Sequence, residues 1–232
     1  MRGMRNMFLF LRGIGQGQGV VTLLLIPQHY FSYDGIFNAD NETWSKQRKA
    51  MSIEFHSARF RQLTAESLFE LVHKRLIPVL EESQKNSLPL DLQDVLLRMT
   101  FDNVCMIAFG VDPRCLGLGL PKIPFARAFV KATEATRELK ESIAGVNKFA
   151  DEVIRTRKKE LSLQCENSKE RSDLLTVFMR LKDEKGQPFS DKFLRDIGVN
   201  FILAGRDTSS VALSWFFLAY QPAPKYRAED ST

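Results

Sequence analysis

From Asn41 to about Leu218 the apolar residues recur three and four positions apart, the spacing that lays them along one face of an α-helix. In "ETWSKQRKAMSIEFHS" this puts Trp44, Arg48, Met51 and Phe55 on one face. A second helix follows with Leu68, Leu71, Val72, Leu76 and Val79 in phase, and Pro78 is expected to kink or close it. After the polar turn "QKNSLP", Asp91 is placed to cap a helix that ends at Gly110, with Pro113 reinforcing the stop. A Gly- and Pro-rich loop then leads to a short helix around Phe125 to Thr136, and next to one carrying Leu139, Ile143, Val146, Phe149 and Val153 in phase. "QCENSKERSD" reads as a surface loop before the helix "LLTVFMRLKDE". Ser190 then caps a helix from Asp191 to about Leu218, which would be roughly 42 Å long at 1.5 Å per residue. Alternating strand patterns are almost absent, so the predicted class is all-α with little or no sheet.

Composition changes this picture little. The chain has 232 residues, 44% of them apolar, which is enough for a packed core. A net charge of +5 is spread over the chain instead of forming a basic tail, so no nucleic-acid partner is expected. Cys105, Cys115 and Cys165 lack any CxxC spacing, and His29, His56 and His73 lack ligand spacing, so no metal site is read from them. Residues 1–33 hold basic residues, a Gly/Gln stretch and the run Val20 to Ile26, too short to span a bilayer, which needs about 20 residues. They are expected to form a poorly ordered leader, and residues 219–232 a disordered tail, around a helical domain over 34–218.

Two places break the pattern. Arg48 brings a full charge into an apolar stripe, where it must either reach water along its own stem, pair with a carboxylate such as Glu54, or meet an anionic ligand together with Trp44. The second place is "AGRDTSS", residues 204–210, inside the long helix. The apolar stripe resumes beyond it, with Ala204, Thr208, Val211 and Trp215 in register, so the polar insert belongs to one helix with a local distortion near Gly205. Small residues there let a flat group approach the backbone, and an acid beside an alcohol can hand over protons. The alternatives are a helix break at Gly205 with Asp207 capping a new helix, or hydroxyls that solvate a surface turn.

"AGRDTSS" resembles the oxygen-activating motif in the long helix of cytochrome P450 haem-thiolate monooxygenases, and "WSKQR" resembles their Trp-x-x-x-Arg motif. The stretches "DGIFNADNETWSKQRKAMSIEFHSARFRQLT", "DLQDVLLRMTFDNVCMIAFGVDP" and "DLLTVFMRLKDEKGQPFSDKFLRDI" are similar to the plant fatty-acid omega-hydroxylase branch. The resemblance runs from Asp34 to Phe217 and implies the helical central part of that fold. It implies a haem whose propionate is held by Trp44 and Arg48, with Ala204 and Gly205 letting porphyrin and O2 lie against the helix. Asp207 and Thr208 would serve the proton relay for O–O cleavage. The implied reaction is hydroxylation of an aliphatic, fatty-acid-like carbon. NADPH electrons would come from a separate reductase, at the cytosolic face of the endoplasmic reticulum membrane.

The departures from that pattern are specific. A Glu-x-x-Arg pair and a Phe-x-x-Gly-x-Arg-x-Cys type loop do not follow the long helix in this chain, and no cysteine here has the axial ligand's context. The family's connection at "ATEATRELKES", which roofs the substrate channel, is longer, and its membrane anchor has no clear counterpart. The expectation is therefore a truncated member of this haem- and iron-dependent monooxygenase family, with a catalytically inactive fragment that has at most an interaction role as the alternative; the chain by itself is not expected to turn over.

Overall fold

The computed structural model describes residues 41–133, 139–163, 173–182 and 186–220. Among these the secondary structure is helical: α1 (Asn41–Phe55), α2 (Ala58–Leu71), a π-helical turn (Val72–Leu76), α3 (Ile77–Lys85), α4 (Leu92–Phe109), α5 (Pro124–Thr133), α6 (Leu139–Leu163), α7 (Leu174–Arg180) and α8 (Asp191–Tyr220). A single antiparallel bridge between Lys182 and Pro188 is the nearest approach to sheet among the described residues. The all-α reading holds. The leader, Cys165, His29, most of the "QCENSKERSD" loop and the tail beyond Tyr220 lie outside the described residues.

Side-chain caps start several of the helices. The Asp91 carboxylate accepts from Asp94 N–H, Asp173 from Thr176 N–H, and Ser190 Oγ from Phe193 N–H. Gly110 closes α4 in the left-handed conformation at φ 63°, as its place in the sequence foretold. Pro78 does not close its helix. It lacks an N–H and crowds the carbonyl four residues back. The chain answers by widening into the π turn just before it, where Ile77 N–H bonds to Val72 O, and then continues as α3 to Lys85. The helix read in "LLTVFMRLKDE" is shorter than expected, because Leu181 leaves helical geometry for extended backbone.

The core forms where α8 crosses α4. Phe109 packs beside Gly198, and Val104 beside Gly205, so the two helices run antiparallel. A Cβ on Gly198 would sit 2.4 Å from the Phe109 ring, and one on Gly205 would sit 2.5 Å from Val104 Cγ2. Two glycines seven residues apart thus let the helices close to a distance that no side chain would permit. Thr100 Oγ1 crosses the gap to the Arg206 carbonyl at 2.9 Å. Helices α6 and α7 seal the N-terminal half of α8, with Val146, Ala150, Ile154, Leu174 and Phe178 all nearly inaccessible.

Buried charges pin the connections. Asp102, on α4, accepts backbone N–H bonds from Cys115 and Leu116 at 2.9 Å each, so the Gly- and Pro-rich loop is fastened to the helix preceding it. Arg75 at the π turn grips Asp112 of the same loop at 2.5 Å and reaches Asp102 at 3.4 Å. Arg157 of α6 donates to the Phe109 carbonyl at 3.1 Å and lies 3.5 Å from Asp173, tying the end of α4 to the start of α7.

Candidate functional site

Helix α8 is continuous from Asp191 to Tyr220. The break at Gly205 does not occur, Asp207 caps nothing, and the turn expected to widen there stays α-helical. Thr208 Oγ1 donates to the Ala204 carbonyl at 2.5 Å, so the hydroxyl bonds inside its own turn in place of solvating a loop.

The apolar stripe Ala204, Thr208, Val211 and Trp215 is not the packed face. The buried residues in this half are Ile202, Leu203, Arg206 and Ser210, whereas Ala204 is exposed and Trp215 is 53% exposed. The spacing put these residues on one stripe without saying whether it is packed: α8 is apolar on two sides, and periodicity does not say which of them the other helices cover. An open apolar face on a helix this well anchored is a place for a ligand.

Helix α1 borders that face. Phe55 meets Phe201 edge to face at 5.6 Å, and Phe201, Ala204 and Thr208 share one side of α8 at i, i+3 and i+7. The inward line of α1 runs through Gln47, fully buried, and Met51. This rotates Arg48 outward, which corrects the expectation of a charge inside the packing stripe. Its guanidinium lies over the Trp44 ring, 5.6 Å from the centroid, an arrangement that leaves the cation accessible to an anion. Trp44 is half-buried and serves as the platform.

Gly205 does not line the open face. Its missing side chain makes room for Val104 on the packed side, while Ala204, one residue earlier, presents only a methyl group to the open side. Asp207 lies between the two sides. Burial pushes its carboxyl above the ordinary carboxylate range, and the neighbouring Arg206 guanidinium, 2.9 Å away, pulls it partly back. Arg206 was missed by sequence reasoning. Its signal was the Arg-Asp dipeptide inside an apolar helix, where adjacent opposite charges can neutralise each other.

The family model described as "Cytochrome P450" matches residues 17–228. The chain belongs to the cytochrome P450 family. This P450 chain is 68% identical over 214 residues to cytochrome P450 86B1 of Arabidopsis thaliana, covering 83% of this chain and 38% of that protein. It is 38% identical over 211 residues to cytochrome P450 94A2 of Vicia sativa, covering 81% of this chain and 40% of that one. Among solved structures it superposes on the crystal structure of a cytochrome P450 (CYP102L1) with a TM-score of 0.68 at 20% identity, over 87% of this chain and 45% of that one, a likeness of fold. The chain spans about two fifths of the length of the curated relatives it matches.

Cytochromes P450 use haem, and the residues present fit one side of it. Ala204 gives a flat group access to the α8 backbone, and the accessible Arg48 guanidinium suits a propionate. The axial thiolate is another matter. Cys105 and Cys115 are 0% and 2% exposed within the α4 packing, and burial pushes both thiols up, away from the thiolate. None of the described helices is long and apolar enough to cross a membrane.

Proposed function

We propose that this chain forms the oxygen-side wall of a haem monooxygenase that hydroxylates an aliphatic carbon of a fatty-acid-like substrate, at the cytosolic face of the endoplasmic reticulum. The observation that carries the reading is the open face of α8, bearing Ala204 and Thr208 and bordered by the helix of Trp44 and Arg48.

Haem, when bound, supplies the redox centre at which dioxygen is activated with electrons passed from NADPH through a separate reductase. The chain's own residues supply the rest. Arg48 would hold a propionate oxygen by a charge-assisted bond, with the Trp44 ring beneath its guanidinium. Ala204 keeps the helix surface clear beside the reacting centre. Asp207, its carboxyl raised by burial, retains a proton at Oδ to higher pH than an exposed aspartate does, and the adjacent Arg206 keeps the charged form attainable. Thr208 Oγ1, which now donates to the Ala204 carbonyl, would be the hydroxyl able to hold or pass on a proton at the open face.

This 232-residue polypeptide alone is proposed not to complete turnover, because the buried Cys105 and Cys115 are unsuited to ligate a group at the open face. The test is a ferrous–CO spectrum of the purified, haem-titrated chain, followed by incubation with reductase, NADPH and a long-chain fatty acid. Haem uptake lost in Arg48→Ala, with no thiolate-type Soret band and no hydroxylated product, is the expected result. Haem uptake indifferent to Arg48 overturns the site; product formed in proportion to this chain overturns its inactivity.

A further inference from the structure

A second ligand-sized cleft lies on the other side of α8. Its cavity volume is about 230 Å³, a little below the roughly 300–1,000 Å³ of drug-sized sites and so suited to a smaller ligand. Its walls come from α4, the loop after it, α5 and one residue of α8, Arg206. Arg206 lies about 200° round the helix from both Ala204 and Thr208, so the cleft and the open face are distinct places.

The walls are unbalanced in charge. Arg98, Lys122, Arg127, Lys131 and Arg206 line the cleft, and Asp94 is the one carboxylate among its lining residues. Asp94 is already engaged with Arg98 at 2.7 Å, and Arg98 also donates to the carbonyls of Cys115 and Pro121, so that pair closes one end. Lys122 and Arg127 stand exposed at the rim. Arg206 lies deeper, its side chain 11% exposed, with one guanidinium nitrogen on Asp207. A guanidinium has five N–H donors, so one carboxylate does not exhaust it. Between rim and depth the surface is apolar, formed by Leu97, Phe101, Ile123 and Val130.

Cations gathered around an apolar cleft raise its potential, because low-dielectric walls focus the field that water would otherwise screen. Like charges held together cost free energy, and an anion relieves that cost. An inorganic anion would satisfy the charge but leave the apolar wall wet; a neutral apolar molecule would do the reverse. We propose that this cleft binds an amphipathic monoanion, a carboxylate with an apolar body, its head among Arg206, Lys122 and Arg127 and its body against Phe101 and Ile123.

Isothermal titration of the full 232-residue chain with octanoate, octanol and inorganic phosphate tests this. Octanoate binds saturably at one site, and octanol and phosphate each bind at least about tenfold more weakly, as expected when a charge-assisted bond and apolar burial both contribute. The rim double variant Lys122→Gln/Arg127→Gln, both positions exposed and so compatible with folding, weakens octanoate by about tenfold or more. Arg206→Met weakens it further if circular dichroism shows it folded; the rim variant decides the matter alone if not. Ala204→Leu, which fills the open face, leaves octanoate binding unchanged. Equal binding of octanoate and octanol, equal binding of phosphate, an indifferent rim variant, or loss of binding in Ala204→Leu each overturns the proposal.

Discussion

The two halves of α8 are made of similar residues and live in different surroundings. From Leu194 to Leu203 nearly every side chain is buried among α4, α6 and α7, Asp196 and Asn200 included. From Ala204 to Tyr220 burial contracts to the single line of Arg206 and Ser210, and Trp215, Phe216 and Leu218 are more than half exposed. Apolar content does not separate the halves; the partners do. The first half holds the fold together, and the second is held out by it as a rigid beam with one face open. A functional helix benefits from this division, since a site built on a well-anchored element keeps its geometry without spending its own surface on stability.

The sharpest way to break that comparison is to remove equivalent bulk from each half. Ile202→Ala, at a fully buried position, is expected to cost about 3 kcal/mol, whereas Trp215→Ala costs about 0.5 kcal/mol or less; urea denaturation measures both. Similar losses at the two positions would mean that the C-terminal half is covered after all.

Adding bulk sharpens it further. Gly198→Ala drives a methyl group into the Phe109 ring, an overpacking cost of about 1–3 kcal/mol set against the roughly 1 kcal/mol by which alanine favours a helix. A net loss of about 1 kcal/mol in thermal or urea unfolding is expected, together with weaker near-ultraviolet dichroism from the core aromatics. At Ala204, on the open side, leucine should change stability by less than about 0.5 kcal/mol.

Asp207 gives the comparison a pH axis. Its folded-state carboxyl is raised above the ordinary 3.8, so the folded chain holds that proton more tightly than the unfolded chain does. The stability this contributes is complete below the ordinary value and is lost as pH rises through the raised one. Asp207→Asn is therefore expected to match the wild type at low pH, to gain on it progressively as pH rises from the ordinary value through the raised one, and to keep that gain at higher pH, as read from urea midpoints measured across pH. A variant that loses ground as pH rises would mean that the pair with Arg206 outweighs burial.

The smallest stability effect belongs to Arg48. An exposed guanidinium over an indole contributes roughly 0.5–1 kcal/mol, so Arg48→Ala should barely move the unfolding midpoint while weakening haem uptake in an absorbance titration. A large loss of stability would instead make Arg48 a structural residue.

Much of this was legible along the chain because it rests on short-range chemistry. Asp91 and Gly110 mark the ends of α4 by their own side-chain and backbone preferences, and Ser190 starts α8 for the same reason. The Trp44–Arg48 spacing puts one residue a helical turn from the other wherever the helix lies. The errors share a cause. Pro78 was expected to kink or close its helix because the rule for proline is local, while the π turn through which the helix continues is fastened from afar by Arg75 to Asp112 and Asp102. Gly205 was read together with Ala204 as room for a flat ligand, because glycine signals a close approach without naming what approaches; Val104, 101 residues earlier, is what approaches it.

The sequence by itself determined the helices, their caps, the continuity of α8 through its polar insert and the one-turn spacing of Trp44 and Arg48. These follow from backbone propensities and from side chains a few positions apart, which any local stretch carries with it. Only the tertiary structure decided which face of α8 is packed, that Arg48 points outward beside Trp44, that Arg206 is the partner of Asp207, and that a cationic cleft opens behind the long helix. Each of those depends on which distant surface comes to rest against a given face, and burial, unlike periodicity, is a property of pairs.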